Sequence, residues 1–256
     1  MKNIISQKSA LIVVLLLLSS GVFAQRDFKR NKGGGIWRHW FVKANVGATA
    51  FFGDISTYDH DPFNKFKYES KFGYSVSAGK WINDWGGANF TFSGGKMKGI
   101  RNNYESHTDF YQYTLEAQVN LTQLYFDQDV QSVFYVYAKL GFGLIEFNAM
   151  YTNQTTGDTI HIIGKHTPFN KRVTEWVIPI GIGGVYNIDQ NFAIFFDGTF
   201  NYTNTDKLDA KFSGSTDDKK DYYIYISVGL KYTFSIKDKH GSYRRPVSRR
   251  KIRWVR

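Results

Sequence analysis

No cysteine occurs in the 256 residues. That absence excludes a disulfide-stapled scaffold, a thiolate metal site and a lipid-anchored N-terminal cysteine. Proline is scarce at 4 residues. Apolar runs are short: the longest, Ala10 to Leu18, falls well under the roughly 20 residues a transmembrane helix needs. With a mean hydropathy of −0.38, a bundle of membrane helices is excluded as well. By length the chain allows one large domain or two small ones. What it has in abundance is aromatic residues. The 22 Phe, 17 Tyr and 6 Trp make 18% of the chain, more than one water-soluble core usually holds.

The short apolar run has the form of an export leader. Lys2 and Lys8 precede it, and Val22-Phe23-Ala24 places small residues at the −3 and −1 positions before Gln25. Residues 1–24 therefore read as a cleaved signal peptide, with the mature protein in the periplasm or outer membrane of a Gram-negative-type bacterium. Charge divides the rest. Residues 237–256 carry three Lys and six Arg against one Asp, a net of +8, and residues 25–39 carry five basic side chains against Asp27, a net of +4. The middle, 40–236, is nearly neutral. Basic tails suit nucleic acid by default, but an exported chain meets almost none, so anionic headgroups and acidic protein surfaces are the better partners.

That middle alternates with period two, the signature of strands. From Tyr111 to Leu121, apolar Tyr111, Tyr113, Leu115, Ala117 and Val119 interleave with Gln112, Thr114, Glu116, Gln118 and Asn120. The spacing predicts eight strands near 41–52, 71–81, 87–95, 110–121, 133–147, 173–186, 192–203 and 221–234, most of them long enough to cross a bilayer with a tilt. Polar loops at 53–70, 96–109, 150–172 and 204–220 alternate with shorter links. Pro179, in mid-strand, predicts a bulge.

A soluble barrel and an outer-membrane barrel share this alternation, and the polar face separates them. A water-facing surface is rich in Lys and Glu. Here that face is small and uncharged, with Ser75, Ser77, Asn89, Thr91, Ser93, Thr199, Asn201 and Ser227. The apolar face carries aromatics towards the strand ends: Phe52, Tyr74, Phe92, Tyr111, Tyr202 and Tyr222 at one rim, Trp40, Trp81, Trp85, Phe134, Phe192, Tyr232 and Phe234 at the other. The fold class is all-β: an eight-stranded, antiparallel, up-and-down transmembrane barrel over 40–236. With an even number of strands, both basic segments are periplasmic.

Three segments resemble the small OmpA-type outer-membrane barrels of Bacteroidetes-like bacteria, and among them the PorG-type barrels of type IX secretion and gliding systems. The first strand ends Gly47-Ala48-Thr49-Ala50-Phe51-Phe52-Gly53-Asp54-Ile55. An aromatic turn, Asn120 to Phe126, precedes the Gly-rich Tyr137-Ala138-Lys139-Leu140-Gly141-Phe142-Gly143. Tyr202 to Asp209 is similar to a Thr-Asp-x-Leu-Asp motif, with Lys207 where that family tends to an aromatic. The closing Gly229-Leu230-Lys231-Tyr232-Thr233-Phe234 resembles the signal by which barrel-assembly machinery recognises its clients. The resemblance implies a non-enzymatic structural or assembly component of an envelope complex, embedded in outer-membrane lipid and bound to periplasmic or outer-membrane proteins. The alternatives are a free-standing OmpA-like barrel serving membrane integrity or ligand binding at the outer loops, and a lipid-modifying enzyme.

Three sets of residues are candidates for function. Eight strands enclose a lumen that side chains can fill, and the inward positions Lys43, Lys139 and Lys231 with Glu116, Glu175 and Asp197 predict a closed charge network. Gly53 and Asp54 meet Thr205, Asp206, Leu208 and Asp209 at the outer rim, where carboxylates cap loop amides. In the C-terminal tail, Arg244, Arg245, Arg249, Arg250, Lys251, Arg253 and Arg256 are interleaved with Trp254, a pattern suited to docking on an acidic surface. His60, His107, His161 and His166 fall in loops with no nucleophile spacing, and Asp59-His60-Asp61 is too local to converge on an ion. No catalytic residue, metal or cofactor is implied.

Overall fold

A computed structural model describes residues 39–53, 56–58, 61–83, 85–126, 132–164, 172–189, 191–205, 207, 208, 210 and 220–234. The described residues form nine strands: β1 (Trp40–Phe52), β2 (Lys71–Trp81), β3 (Gly86–Arg101), β4 (Tyr104–Asn120), β5 (Phe134–Asn153), β6 (Thr159–Ile163), β7 (Val173–Asn187), β8 (Phe192–Thr203) and β9 (Tyr222–Thr233). Eight of them close into a barrel in the order β1-β2-β3-β4-β5-β7-β8-β9, every pair antiparallel. The seam joins β1 to β9 from Phe41↔Thr233 to Phe52↔Tyr222. Residues 1–38 and 235–256 lie outside the described residues, so the leader, the C-terminal basic segment and all of the N-terminal one but His39 do too.

Alternation orients the wall as the sequence implies. Along β4, Gln112, Thr114, Glu116, Gln118 and Asn120 are buried, while Leu115 is 67% exposed. Along β9, Tyr223, Tyr225, Ser227 and Lys231 point inward, and Val228 and Leu230 are exposed. Phe72, Phe90, Leu140, Phe142, Ile180, Ile182 and Phe196 continue the exposed apolar face around the barrel. No water-facing wall tolerates so continuous an apolar surface with its polar residues turned inward. This is the pattern of a lipid-facing barrel. At the end carrying the longer connections, here the loop end, aromatics form belts outside the wall. Phe52 stacks on Tyr222 at 5.0 Å, Phe92 on Tyr111 at 5.9 Å, and Trp176 leans on Tyr202 at 6.1 Å. Trp81 departs from the expected girdle. It has the inward parity of Ser75 and Ser77 and is 2% exposed, packed against Phe41 and Tyr135.

Three strands outgrow the wall. The β2 ladder stops at Gly73↔Gly95 and the β7 ladder at Phe147↔Val173, but β3 and β4 pair on to Arg101↔Tyr104 and β5 continues to Asn153. With β6 paired along β5, they make a four-stranded blade beyond the barrel. So the segment 96–109, expected as a loop, is a hairpin. Asn102 and Asn103 supply its turn with positive φ values of 47° and 65°, the left-handed pair a two-residue turn demands. Segment 150–172 likewise holds strand, the ninth one. Among the described residues, two short helices also occupy connections, α1 (Pro62–Tyr68) between β1 and β2 and α2 (Leu121–Phe126) after β4. Asp61 caps α1 by accepting from the Asn64 amide at 3.2 Å.

Pro179 makes no bulge. The β5–β7 register is the same on either side of it, Leu140↔Ile180 and Gly143↔Val177, and the ladder with β8 runs through Pro179↔Asn201 without a shift. The absent amide is accommodated by opening the β5 ladder over two pairs. The Pro179 ring lies so close to Gly141 that a Cβ there would come within 2.9 Å of it. The pyrrolidine therefore takes the space a side chain at 141 would fill.

Candidate functional site

The lumen is filled in three layers. At the loop end, Phe51, Met97, Phe110, Ile145, Phe147, Val177, Leu208 and Tyr223 form a buried apolar cluster. Leu208 comes from the β8–β9 connection, folded down against the inner face of the blade. Three bonds fix it there: Thr108 Oγ1 donates to the Leu208 carbonyl, the Leu208 amide donates to Asp221 Oδ2 at 3.0 Å, and the Asp221 amide donates to the Thr205 carbonyl at 2.9 Å.

The middle layer is polar and braced. Lys139 Nζ lies 3.0 Å from Asp197 Oδ2 and 3.9 Å from Glu116 Oε2. Tyr137 and Thr199 donate to Asp197 at 2.6 and 2.8 Å, and Asn89 and Thr114 donate to Glu116 at 2.9 and 3.2 Å. Both carboxylates are thereby satisfied from several strands at once, as buried charges require. Gln112 crosses to Asn201 at 3.1 Å and accepts from Tyr223. A cavity of about 20 Å³ remains among Lys43, Ser77, Thr91, Gln112, Glu116 and Asp197, room for one or two waters.

The third layer, at the end where β1 begins and β9 ends (the terminal end), is aromatic. Phe41, Trp81, Tyr135, Tyr137 and Phe195 are buried together, with Lys43 and Lys231 among them. Lys43 Nζ sits 4.5 Å from the Tyr137 ring centre and donates to Gln118 Oε1 at 3.3 Å. Lys231 Nζ donates to the Tyr135 hydroxyl at 2.7 Å. Each ammonium also lies 5.2 Å from the centre of the Phe41 ring.

Five of the six expected lumen charges are thus inside, and the sixth is not. Glu175 has inward parity but stands at the loop-end rim, where it faces Lys207 Nζ at 3.6 Å. The apolar pair Ile145 and Val177 separates it from the Lys139 network. The lumen therefore holds three cations and two anions among the described residues rather than three of each. Of the expected rim set, Thr205 and Leu208 are buried in the closing loop, and Gly53 lies so close to the Asp221 carboxylate that a Cβ there would meet it at 2.4 Å. Asp54, Asp206 and Asp209 lie outside the described residues, as do Asp59, His60, His166 and the tail set Arg244, Arg245, Arg249, Arg250, Lys251, Arg253, Trp254 and Arg256. The carboxylate seen capping loop amides is Asp221, which sequence reasoning passed over although it shares the parity of Tyr223 and Tyr225. A second network was also missed. In the β1–β2 connection, Lys65 and Glu69 pair at 3.1 Å, and Ser56 donates to Glu69 at 2.9 Å, all three buried.

On the blade, His107 Nε2 is 2.9 Å from Glu105 Oε1, which Lys98 also contacts. Partial burial, in spite of that carboxylate, pushes the His107 imidazole below its ordinary 6.5. A depressed folded-state value favours the neutral ring. Its share of blade stability is therefore complete above 6.5 and is lost as pH falls through the folded value. In a titration followed by imidazole NMR shifts, His107 should have its midpoint below 6.5. A midpoint above 6.5 would mean that Glu105, not burial, dominates. Among the described residues no group of three or more His, Asp or Glu is arranged to hold a metal ion.

No protein-family profile and no curated protein matches the chain. Among solved structures it is similar to Neisserial surface protein A, with 16% identity over 77% of this chain and 97% of that one and a TM-score of 0.43. It is also similar to the attachment invasion locus protein Ail of Yersinia pestis, with 13% identity over 77% and 99% and a TM-score of 0.44. A third is a major outer membrane protein of Thermus thermophilus, with 12% identity over 75% and 99% and a TM-score of 0.42.

Proposed function

We propose that this chain is a non-enzymatic outer-membrane barrel that serves as a structural or assembly component of an envelope complex, of the type IX secretion or gliding kind its motifs resemble. The observation that carries this reading is the filled lumen. An apolar cluster anchored by Leu208 occupies one end and the Phe41–Trp81–Tyr135 cluster the other, with a braced polar layer between. A barrel so packed is suited to hold something in place rather than to pass solutes, so its work falls to the surfaces outside the bilayer. The terminal end faces the periplasm in this reading. The basic segments 25–39 and 237–256 reach partners there through arginine forks that suit carboxylates and phosphates.

Purification from the native membrane in mild detergent tests the proposal. Stoichiometric protein partners should accompany the full chain, and they should dissociate steeply with salt, because exposed ionic contacts are screened. Deleting 237–256 should leave a heat-modifiable barrel that purifies alone. A full-length chain that purifies as a lone monomer would point to a free-standing barrel. Lipid A altered only when the protein is present would point to an enzyme. Partners retained by the truncated chain at unchanged salt resistance would show that the tail is only a solvated end.

A further inference from the structure

The terminal-end layer of the lumen carries more hydrogen-bond donors than anything near it accepts. Lys43 and Lys231 are 6% and 2% exposed, and each ammonium gives one described hydrogen bond, to Gln118 Oε1 and to the Tyr135 hydroxyl. Among the described residues, neither is within ion-pair distance of a carboxylate. The two lumen carboxylates, Glu116 and Asp197, are engaged by Lys139 and by hydroxyl, phenol and amide donors. Two further donors in the same layer, Trp81 Nε1 and Gln118 Nε2, are buried without a hydrogen-bond partner. A point beside Gly87 lies 2.9 Å from the Lys80 carbonyl oxygen, 3.0 Å from the six-membered ring of Trp81 and 3.1 Å from Gln118 Nε2, so the Gln118 amide lies against the Trp81 indole. Aromatic faces soften the cost of burying an ammonium but do not accept its remaining hydrogens in line, and buried donors left unpaired cost free energy individually.

We infer that the terminal-end layer of the lumen is an anion site, formed by Lys43, Lys231, Gln118 and Trp81, that takes a small monovalent anion of the halide class. Charge and surroundings choose the class. Two cations unmatched by carboxylates ask for negative charge rather than water alone. The ammonium groups lie among rings, Lys43 4.5 Å from the centre of Tyr137 and Lys231 5.2 Å from that of Tyr135, surroundings that offer little to the hydrogen-bonding periphery of a phosphate or carboxylate. A halide accepts N–H bonds from any direction and has an apolar-tolerant surface, which suits a cage of rings and amines. Because both ends of the lumen are packed, the anion enters while the barrel closes and remains as an internal counter-ion.

The test is to refold the full chain into detergent in sodium chloride or in sodium gluconate at equal ionic strength, and to read the heat-modification midpoint on a gel. Chloride should raise the midpoint in proportion to the logarithm of its concentration. The rise should vanish in Lys231→Met, a change that leaves the Lys139 network in place. Should that variant fail to fold, a bromide-grown crystal of the unaltered chain decides, with an anomalous peak within hydrogen-bond distance of Lys43 or Lys231. Equal midpoints in the two salts, a rise that persists in Lys231→Met, or ordered water with no bromide peak would each overturn the inference.

Discussion

Replacing Lys139 by Met should destabilise the barrel by about 3–5 kcal/mol, the usual cost of removing one partner from a buried ion pair. The methionine is close to lysine in volume, but Asp197 and Glu116, both buried, lose the ammonium that lies within 4.0 Å of each. The same principle makes the converse prediction. The triple variant K139M/E116Q/D197N, which removes all three charges with little change in volume, should regain most of the loss, since neutral groups here forfeit hydrogen bonds but no solvation of charge. Heat-modified migration as a function of temperature measures both. If the triple variant is no more stable than K139M, the single-variant loss is one of packing rather than of stranded charge.

A second large effect is expected at the seam. Gly47 on β1 and Gly229 on β9 sit where the first and last strands of the barrel meet. A Cβ at Gly47 would lie 2.0 Å from the Ile226 carbonyl oxygen, and one at Gly229 would lie 2.2 Å from that of Ala44. Backbone, not a movable side chain, stands in the way, so a branched residue forces the strands apart at the step that closes the barrel. Gly47→Val or Gly229→Val should therefore yield little or no heat-modifiable species. Gly198→Ala, on β8 with only the Ile182 carbonyl nearby at 3.9 Å, should fold normally. A Gly47→Val chain that closes as readily as Gly198→Ala would refute this account of the seam.

The wall was legible because one rule governs it. Lipid outside and a packed lumen inside force every spanning residue to choose a face, and parity along β4 or β9 reads that choice directly. Parity would also have turned Trp81 inward and found Asp221, had the expectation of an aromatic girdle not overridden it at Trp81. Glu175 shows where parity ceases to suffice. It points inward, yet its height on the strand sets it at the rim beside Lys207, and height depends on register and tilt that a single sequence does not display. The blade escaped for a different reason. Its strands carry Lys96, Lys98, Glu105 and Asp109 on their outward positions, so they read as polar loop when the only strand sought was one facing lipid. The surplus of lumen cations was hidden by the same misplacement of Glu175, which made the charges look balanced.

The blade sets the vertical profile of the molecule. From Lys96 to Arg101 it runs six residues beyond the last β2 pairing, roughly 20 Å of strand at about 3.4 Å per residue and about 15 Å of height at the usual strand tilt. The headgroup layer on one side of a bilayer is only about 5–8 Å deep. The crest of the blade, with the Asn102-Asn103 turn and the bend from Gln154 to Asp158, therefore stands clear of the lipid in open water. At that crest, a Cβ added at Gly157 would meet nothing within 4 Å. An epitope or protease-cleavage tag spliced in after Gly157 would interrupt no ladder bond of the wall and would sit well above the headgroups. Its exposure to antibody in intact cells would therefore report directly which compartment the blade inhabits.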